Sequence, residues 1–521
     1  MLVNVFTNDP NARGLGLQQV QPPTAPSRFT IPGWNGTGGL FDPGTPQFQA
    51  GMLHVVLNQT YAMWADFFNG DFAWQPRVNQ LPVAPRAGQE LNAYYDRVGL
   101  KFFFANDNTT GAPLYTCESA DVVAHECGHA ILDARHPDYW ESLLSESAAF
   151  HEAFGDVSAI LITLADARVR AAILAENNGD LATSNAVTRL AEQLARGLTN
   201  NGFANAVDSP DALRDVVNKF RYRDPDQLPA RTPASKLSSE SHNFSRVFSG
   251  SFYNLLVAMY TQLRQADANL AADAALEQAR YDAGHLIAQG LLLAPRGDAL
   301  FKSIVTAMFA ADAQMFAGRY FSALRKAFVG RRIIQAAEAD ALKKSAGGGV
   351  LRASARGITA MSAAPVSVET IERKIGAPLP SEFIQMLRER RHDMRLMDDI
   401  ERRDASRVLH YESTRTSELK GKSFGIAAGA KIDLSDAVAV QLAQDGSVIA
   451  AQLHRADSAY EKRIQDHIVK LVERKRVYDT REGEQVDAEK LIGERKPYYI
   501  AYDDAGDKRV RRAFIACCGT N

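Results

Sequence analysis

Residues 121–156 read DVVAHECGHAILDARHPDYWESLLSESAAFHEAFGD, and the order of polar and apolar residues in this stretch decides the fold. The stretch begins with an HExxH array formed by His125, Glu126 and His129. In a helix, residues four apart lie about one turn apart on the same face, so the two imidazoles can bind one Zn²⁺. Glu126 then lies close enough to act on a metal-bound water. The pattern therefore predicts a metal-binding helix.

A second apolar-periodic run carries the acidic residues that complete this pattern. An isolated HExxH also arises by chance on charged surface helices, so the segment HEAFGD at 151–156 adds the needed specificity. Glu152 can supply the third ligand of a His₂Glu site, and Asp156 can accept the outward N–H of a ligating histidine. Two buried carboxylates on an apolar helix are unfavourable unless a metal or another partner compensates them. Glu141 and Glu146 are instead expected on a solvated acidic face.

Length and composition limit the class of protein. A chain of 521 residues is too long for one ordinary core, so we expect two or three domains. The net charge of −2 gives no reason to expect nucleic-acid or membrane-surface binding. No apolar run approaches the ~18 residues of a membrane span, and no signal peptide is visible. Four cysteines make no disulfide framework, so we expect a reduced, cytoplasmic protein, with export by a signal-independent route left open.

The two helical segments resemble the thermolysin-like (M4) family of gluzincin zinc metallopeptidases, whose helices read DVVAHExxHA and NEAxSD. The resemblance implies one catalytic Zn²⁺ with three protein ligands, His125, His129 and Glu152. It also implies that Glu126 is the general base and that Asp156 orients a ligating histidine. This chain has His151 where the family usually has Asn.

The same resemblance implies no structural calcium ion of the family type. The family's calcium cluster combines the Asp of DVVAH with a Glu that lies eleven residues after the ligand Glu. Asp121 is present in this chain, but the second position is Thr163.

An aromatic-rich stretch at 91–104 predicts one or two strands. Within it, Asn92-Ala93-Tyr94-Tyr95 resembles the family's edge strand, whose backbone pairs with an extended substrate. The resemblance implies that Asn92 and the backbone of Ala93 hold the peptide. An ordinary strand is the alternative.

The segment Ala212-Leu213-Arg214, followed by YRDPD at 222–226, resembles the family's ALR…YxDPD segment. In the family this Arg donates to a substrate carbonyl, a role that a forked guanidinium performs well. A surface arginine is the alternative for Arg214. By resemblance, Val122 and Leu213 line the S1′ side of the cleft, which implies an apolar P1′ preference.

The segment SHNFS at 241–245 resembles the family's HxNS segment, in which the His stabilises the tetrahedral oxyanion. The interval of 28 residues between Arg214 and His242 is also that of the family. A capping or surface histidine is the alternative. Glu240 lies at a different offset from the family's orienting Asp, so the sequence assigns His242 no orienting partner.

These observations predict an α+β protein whose main part is a thermolysin-like, two-lobed metallopeptidase, with the resemblance covering about residues 50–335. The predicted units are a Pro/Gly-rich irregular N-terminal arm at 1–50, a mixed α/β N-lobe with the HExxH helix at 51–137, a mainly helical C-lobe at 138–340, a linker at 345–366, and a small α+β domain of unknown role at 367–521.

Local patterns add expectations within these units. Residues 52–68 are periodic and predict an amphipathic helix. The C-terminal domain has a predicted basic helix at 381–404, then strand-like runs VAVQL, SVIAAQL, YYIAYDD and RAFIACC. Interleaved acids favour a solvated helix face over a nucleic-acid patch at 388–391.

The function expected from the sequence is a zinc-dependent endopeptidase that attacks peptide or protein substrates with a zinc-bound water activated by Glu126. An aminopeptidase is disfavoured, because no acidic array for a free α-amine accompanies the motifs. A catalytically weak or inactive scaffold with a structural zinc remains the alternative from another class. The C-terminal domain could deliver or restrain the peptidase, and the oligomeric state and natural substrate stay open.

Overall fold

The computed structural model of the chain describes residues 1–348 except 76, 208 and 210; residues 385, 386 and 389; 394–402; 406–481; 484, 486, 490 and 491; and 496–513. The described residues form a mixed α+β structure, as predicted. None of the helices in these ranges combines the length and the apolar character needed to cross a membrane.

The first 50 residues are more regular than their Pro/Gly content predicts. Strand β1 (Val3–Phe6) pairs antiparallel with β2 (Leu17–Val20), and β3 (Phe29–Thr30) joins a larger sheet. Val3 and Val5 point into the core, because alternate residues of a strand face the same side. The prediction of an irregular arm is therefore wrong for these strands, which are too short for their alternation to outweigh the turn residues around them.

Helix α1 (Pro46–Phe67) confirms the helix predicted at 52–68 and begins earlier than expected. The Thr45 hydroxyl accepts a hydrogen bond from the Phe48 N–H at 3.2 Å, which caps the first turn. Pro46 stands at the start of the helix, where its missing N–H costs no hydrogen bond.

A four-stranded sheet has the order β3–β4–β6–β5, with β4 at Leu81–Ala84, β5 at Ala93–Tyr95 and β6 at Leu100–Phe102. β4 runs parallel to β3 and β6, whereas β5 is antiparallel to β6 and forms the edge. Two strands in 91–104 confirm the prediction. A separate hairpin follows, formed by β7 (Phe104–Asn106) and β8 (Pro113–Tyr115).

From residue 120 to residue 348 the chain is mainly helical, with one short antiparallel pair of strands. The elements are α2 (Ala120–Arg135), α3 (Pro137–Glu141), α4 (Ser145–Thr163), α5 (Ala167–Glu176), β9 (Arg189–Leu190), α6 (Glu192–Asn200), β10 (Arg214–Asp215), α7 (Ser241–Ala266), α8 (Ala272–Leu293), α9 (Phe301–Met315), α10 (Phe321–Gly330) and α11 (Ala336–Gly348). The predicted linker lies outside the described residues except for 345–348, which continue α11. One apolar core runs from β1 to α11, and α2 and α4 lie in it.

The described C-terminal residues form a seven-stranded sheet with a 16-residue α-helix and a short 3₁₀ helix (Lys422–Ala427), called here the C-terminal module. Its strands are β11 (Arg395–Glu401), β12 (Arg407–Glu418), β13 (Lys431–Leu442), β14 (Val448–His454), β15 (Val477–Tyr478), β16 (Tyr498–Tyr502) and β17 (Lys508–Arg512), and its α-helix is α12 (Ser458–Glu473). β13 pairs with β12 along its whole length, and with β14 and β17. The strands predicted at VAVQL, SVIAAQL and YYIAYDD are confirmed.

The predicted basic helix at 381–404 is wrong in its second half, which forms β11. Residues 395–401 alternate between exposed and half-buried and pair with β12, so sheet pairing outweighs their helical propensity. Of the charge run at 388–391 only Glu389 is described, and it is exposed. The RAFIACC run is described only through its first two positions, where β17 ends at Arg512.

The C-terminal module packs against the connection between α3 and α4. Leu143 and Leu144 lie in the apolar cluster of the module, beside residues of β13, α12 and β16. The Arg512 Nε donates to the Ser142 carbonyl at 3.1 Å, and the Tyr498 hydroxyl donates to the Leu143 carbonyl at 3.2 Å. The segment that joins the two helices of the quoted stretch is therefore held by the module.

Glu146 corrects one expectation in this region, while Glu141 is exposed as predicted. Glu146 is buried and accepts hydrogen bonds from the Phe301 N–H at 2.8 Å and the Tyr222 hydroxyl at 2.9 Å. Arg463 of the module lies 3.5 Å from it. The prediction of a solvated face is wrong for Glu146, because its partners come from three distant segments of the chain.

Candidate metal centre

Helices α2 and α4 bring His125, His129 and Glu152 together in the interior. The Nε2 atoms of the two histidines lie 3.2 Å apart. The Glu152 carboxylate lies 3.4 Å from His125 Nε2 and 3.6 Å from His129 Nε2. Ligands at the ~2.0–2.1 Å typical of Zn–N and Zn–O bonds stand roughly 3.3 Å apart at the corners of a tetrahedron. The spacing of the three groups therefore suits a tetrahedral zinc ion.

The chemistry of the donors also suits a cation. His125 Nδ1 lies 3.2 Å from Asp156 Oδ1, a contact that favours a proton on Nδ1 and a lone pair on Nε2. Burial lowers the pKa of His129 well below its usual value and keeps that ring neutral. Both Glu152 oxygens are buried and have no hydrogen-bond partner among the described residues. A cation bound between the three groups would compensate the burial of this carboxylate.

Two glycines allow α2 and α4 to approach this closely. A Cβ atom on Gly155 would lie 2.6 Å from both Cε1 and Nδ1 of His125. A Cβ atom on Gly128 would lie 2.6 Å from Ser158 Oγ and 3.1 Å from the Gly155 Cα. The ring of His125 therefore lies in the space that Gly155 leaves open.

Asp156 is bound on both carboxylate oxygens. Its Oδ1 accepts from Arg214 Nη2 at 2.8 Å and faces His125 Nδ1, and its Oδ2 accepts from the Ser249 hydroxyl at 2.8 Å. Burial alone would raise the pKa of Asp156, but Arg214 and His125 hold it well below its usual value. Asp156 is therefore a carboxylate that fixes the ring of His125.

His242 lies at the start of α7 and reaches the same group. Its Nε2 lies 3.3 Å from Glu152 Oε2, and its Nδ1 lies 2.9 Å from Glu240 Oε1. Burial alone would raise the pKa of Glu240, but the charge of His242 and its hydrogen bond lower it to about 2. Glu240 also caps α7 through the Asn243 N–H at 2.9 Å. The orienting partner that the sequence left unassigned is therefore Glu240.

Glu126 follows His125 on α2 and is 1% exposed, so it lies in the interior with the ligands. Burial lowers the pKa of His129. Burial alone would raise the pKa of Glu152, but the charge of His242 lowers it to about 2. The centre therefore combines a neutral imidazole with an ionised carboxylate. Cys127 is a free, buried thiol whose pKa is raised by burial.

The predicted substrate-binding residues are all buried. The Asn92 Oδ1 accepts from the Ala93 N–H at 2.9 Å, and its Nδ2 donates to Glu90 Oε1 at 2.5 Å. Val122 lies on α2, and Leu213 precedes Arg214 at the start of β10. The amide of Asn92 would therefore have to leave Glu90 and Ala93 before it could bind a peptide, and the assignment of these residues stays a prediction.

His151 takes the position of the family's Asn and provides no hydrogen bond to His129. The two rings stack with centroids 5.8 Å apart. His129 Nδ1 and both nitrogens of His151 are buried without a partner among the described residues. The outward nitrogen of the second ligand histidine therefore lacks the partner that Asp156 gives to His125.

Reasoning from the sequence missed Gly128, Gly155 and Ser249. The sequence did contain a sign of the two glycines' role, because both lie inside predicted helices, where Gly is unfavourable unless a close contact requires it. Ser249 had none, because the residue that it contacts lies 93 positions earlier. In comparisons with known proteins, no family model and no curated sequence matches this chain.

Proposed function

We propose that the chain is a thermolysin-like, zinc-dependent endopeptidase with an apolar P1′ preference. The observation that carries the proposal is the convergence of His125 Nε2, His129 Nε2 and the Glu152 carboxylate in the interior, at 3.2–3.6 Å from one another. The described residues offer three ligands to this group. Three protein ligands leave one coordination position open, which is typical of catalytic zinc sites, whereas structural sites use four.

A bound Zn²⁺ would supply Lewis-acid chemistry and lower the pKa of water from ~15.7 to ~7. Glu126 takes the proton of the attacking water and delivers it to the leaving amine. The Glu240 carboxylate accepts from His242 Nδ1 and favours the protonated imidazole, so Nε2 carries a proton to donate to the developing oxyanion. Arg214 acts on the centre through Asp156, which keeps the His125 ring in place.

The test is hydrolysis of a quenched peptide with an apolar P1′ residue, measured with the metal content of the same sample. We expect one zinc per chain, cleavage, loss of cleavage with a chelator, and recovery with added Zn²⁺. Glu126→Gln should keep the zinc and lower kcat by ~10³-fold or more, because it removes the general base.

Glu118→Gln is the matched control, since Glu118 is also buried but precedes α2 and binds the Gly44 N–H and the Gln49 side chain. It should leave kcat within about twofold. A wild-type chain that binds zinc and cleaves no peptide would favour the scaffold alternative. Full activity in Glu126→Gln would remove the mechanism.

A further inference from the structure

A cleft of about 720 Å³ lies between the peptidase region and the C-terminal module. One wall is the turn after β5 together with Trp140 of α3, and the other is the β16–β17 hairpin with Tyr499 and Tyr502. Strand β5 is the edge strand that the sequence assigns to peptide binding. The cleft therefore begins at the turn that follows this edge strand, and it has aromatic side chains on both walls.

The acidic residues of the cleft are already paired with basic residues that also line it. Asp96 lies 3.1 Å from Lys101, and Asp503 lies 3.3 Å from Arg509. Glu141 is shared between Arg97 and the Arg511 of the module. Arg97 also pairs with Asp133 at 2.7 Å, and Arg509 pairs with Asp433 at 2.6 Å, so four of the five basic side chains that line the cleft have a carboxylate partner. The fifth is Arg512.

Arg512 differs from the other four basic side chains of the cleft. It is 6% exposed, and its Nε and Nη2 donate to the backbone carbonyls of Ser142 and Leu144 at 3.1 and 3.3 Å. Within the described ranges no carboxylate lies at ion-pair distance from it, and its Nη1 makes no hydrogen bond. A guanidinium largely removed from water binds a carboxylate strongly, because the interaction is little screened.

Two buried rings, those of Trp140 and His151, separate the floor of the cleft from the ligand His129. The Trp140 ring lies 5.9 Å from the His151 ring, which lies 5.8 Å from the ring of the ligand His129. Trp140 also meets Tyr95 of β5 edge to face, with ring centroids 5.6 Å apart. A group bound beside Trp140 therefore lies within two side chains of the metal ligands.

We propose that this cleft binds a carboxylate of the peptide substrate and that Arg512 is the residue that contacts it. The C-terminal module thereby forms part of the substrate site and selects acidic peptides. The inference rests on the proposed peptidase function. The carboxylate can come from an Asp or Glu side chain or from the C-terminus of the peptide, since both have the same planar, bidentate geometry.

The test is a binding measurement without turnover, on the full-length Glu126→Gln variant. Three fluorescein-labelled peptides are compared by anisotropy: one with an internal Glu and an amidated end, its Gln analogue, and the Gln analogue with a free C-terminal carboxylate. We expect one or both carboxylate peptides to bind ~10-fold more tightly than the neutral one, which corresponds to about 1.4 kcal/mol. The difference should shrink in 0.5 M salt as the charges are screened. The peptide that binds more tightly identifies the source of the carboxylate.

Two variants locate the effect in the cleft. Arg512→Gln should remove the preference for carboxylate, with its folding checked by thermal melting. If Arg512→Gln does not fold, Arg511→Gln serves instead and should lower the preference about threefold, because it reduces the positive charge of the same wall. Arg455→Gln is the matched control, since its side chain is 37% exposed against 38% for Arg511 and it lies outside the cleft.

Equal affinity for all three peptides would overturn this proposal. A preference for the carboxylate peptides that persists in a folded Arg512→Gln variant would overturn it too. If the carboxylate peptides bind more tightly but the wild-type chain cleaves no peptide, only the proposed peptidase function is wrong. If the wild-type chain cleaves peptides but the carboxylate peptides bind no more tightly than the neutral one, only the proposed role of the cleft is wrong.

Discussion

His242 illustrates at the scale of single residues how this site departs from a simple motif match. Its orienting carboxylate, Glu240, lies two positions earlier in the chain and also caps the helix that begins at Ser241. One side chain therefore fixes both the direction of α7 and the ring that α7 presents to the metal centre.

Changing Glu240 to Gln should separate these two functions. The amide can still cap α7, but it cannot favour the charged imidazole as a carboxylate does. We expect kcat to fall about 10–100-fold with little change in KM. The alkaline limb of the pH–rate profile should move to lower pH, because His242 loses its proton more readily. A structural role alone would leave that limb in place.

Asp457→Asn is the control for the capping effect. Asp457 caps α12 through the Tyr460 N–H at 2.9 Å and is exposed. Its amide should likewise preserve the cap and leave both kcat and the pH profile unchanged. A pH profile of Glu240→Gln identical to that of the wild type would show that Glu240 acts only as a cap.

At the scale of elements, the approach of α2 and α4 builds the centre. The apolar periodicity predicted both helices, and the HExxH and HEAFGD spacings predicted the faces that meet. The distance between the helices depends on Gly128 and Gly155, whose absent side chains leave room for Ser158 and His125.

Gly155→Ala should disrupt the site through this contact. A methyl group 2.6 Å from the His125 ring forces that ring away from Asp156 and from the other ligands. We expect zinc affinity to fall ~100-fold or more and the free energy of unfolding to fall by about 1–3 kcal/mol. Metal competition with a chromogenic chelator measures the first, and urea denaturation measures the second.

Gly330→Ala provides the comparison, because Gly330 ends α10 and a Cβ atom there would meet nothing within 4 Å. It should bind zinc as the wild type does and be equal to it in stability or slightly more stable. Equal zinc affinity in the two variants would contradict the role assigned to Gly155.

Local patterns could predict these elements but not the contacts that depend on distant residues. Glu146 has the sequence context of a surface acid, and only Phe301, Tyr222 and Arg463 make it an interior one. Residues 395–401 have helical charge patterning, and only their pairing with β12 makes them a strand. Ser249, Glu240 and Arg512 likewise gain their roles from tertiary contacts that no spacing rule contains.

For the whole molecule, the N-terminal segment is joined to the metal helix by a pair of buried acids. The single Ser119 hydroxyl faces both Asp9 and Asp121, and it can donate to one at a time. Asp9 also accepts from the Gln193 N–H at 3.0 Å. Burial and the neighbouring Asp121 raise the pKa of Asp9 to about 8, so the folded protein keeps a proton on this pair at neutral pH.

The pH dependence follows from this raised pKa. Between pH ~4 and ~8 the unfolded chain has lost a proton that the folded chain keeps, so this pair makes the free energy of unfolding fall as the pH rises. Asp9→Asn should remove that fall and stabilise the protein at pH 8 by on the order of 2–5 kcal/mol relative to the wild type. Urea denaturation at pH 5, 6.5 and 8 measures the difference.

Asp42→Asn, at an exposed position of the same segment, should leave the pH dependence unchanged. If the free energies of unfolding of Asp9→Asn and the wild type differ by the same amount at all three pH values, Asp9 and Asp121 do not exchange a proton over this range.

The attachment of the C-terminal module to the α3–α4 connection has a consequence for biosynthesis. The groups that hold Ser142 and Leu143 lie 370 and 355 positions further along the chain. At ~5–20 residues per second, the ribosome makes them roughly 20–70 seconds after both metal helices have emerged. Leu143 and Leu144 lack their partners in the module during that interval, so the connection between α3 and α4 is fixed only after the distal strands have been made.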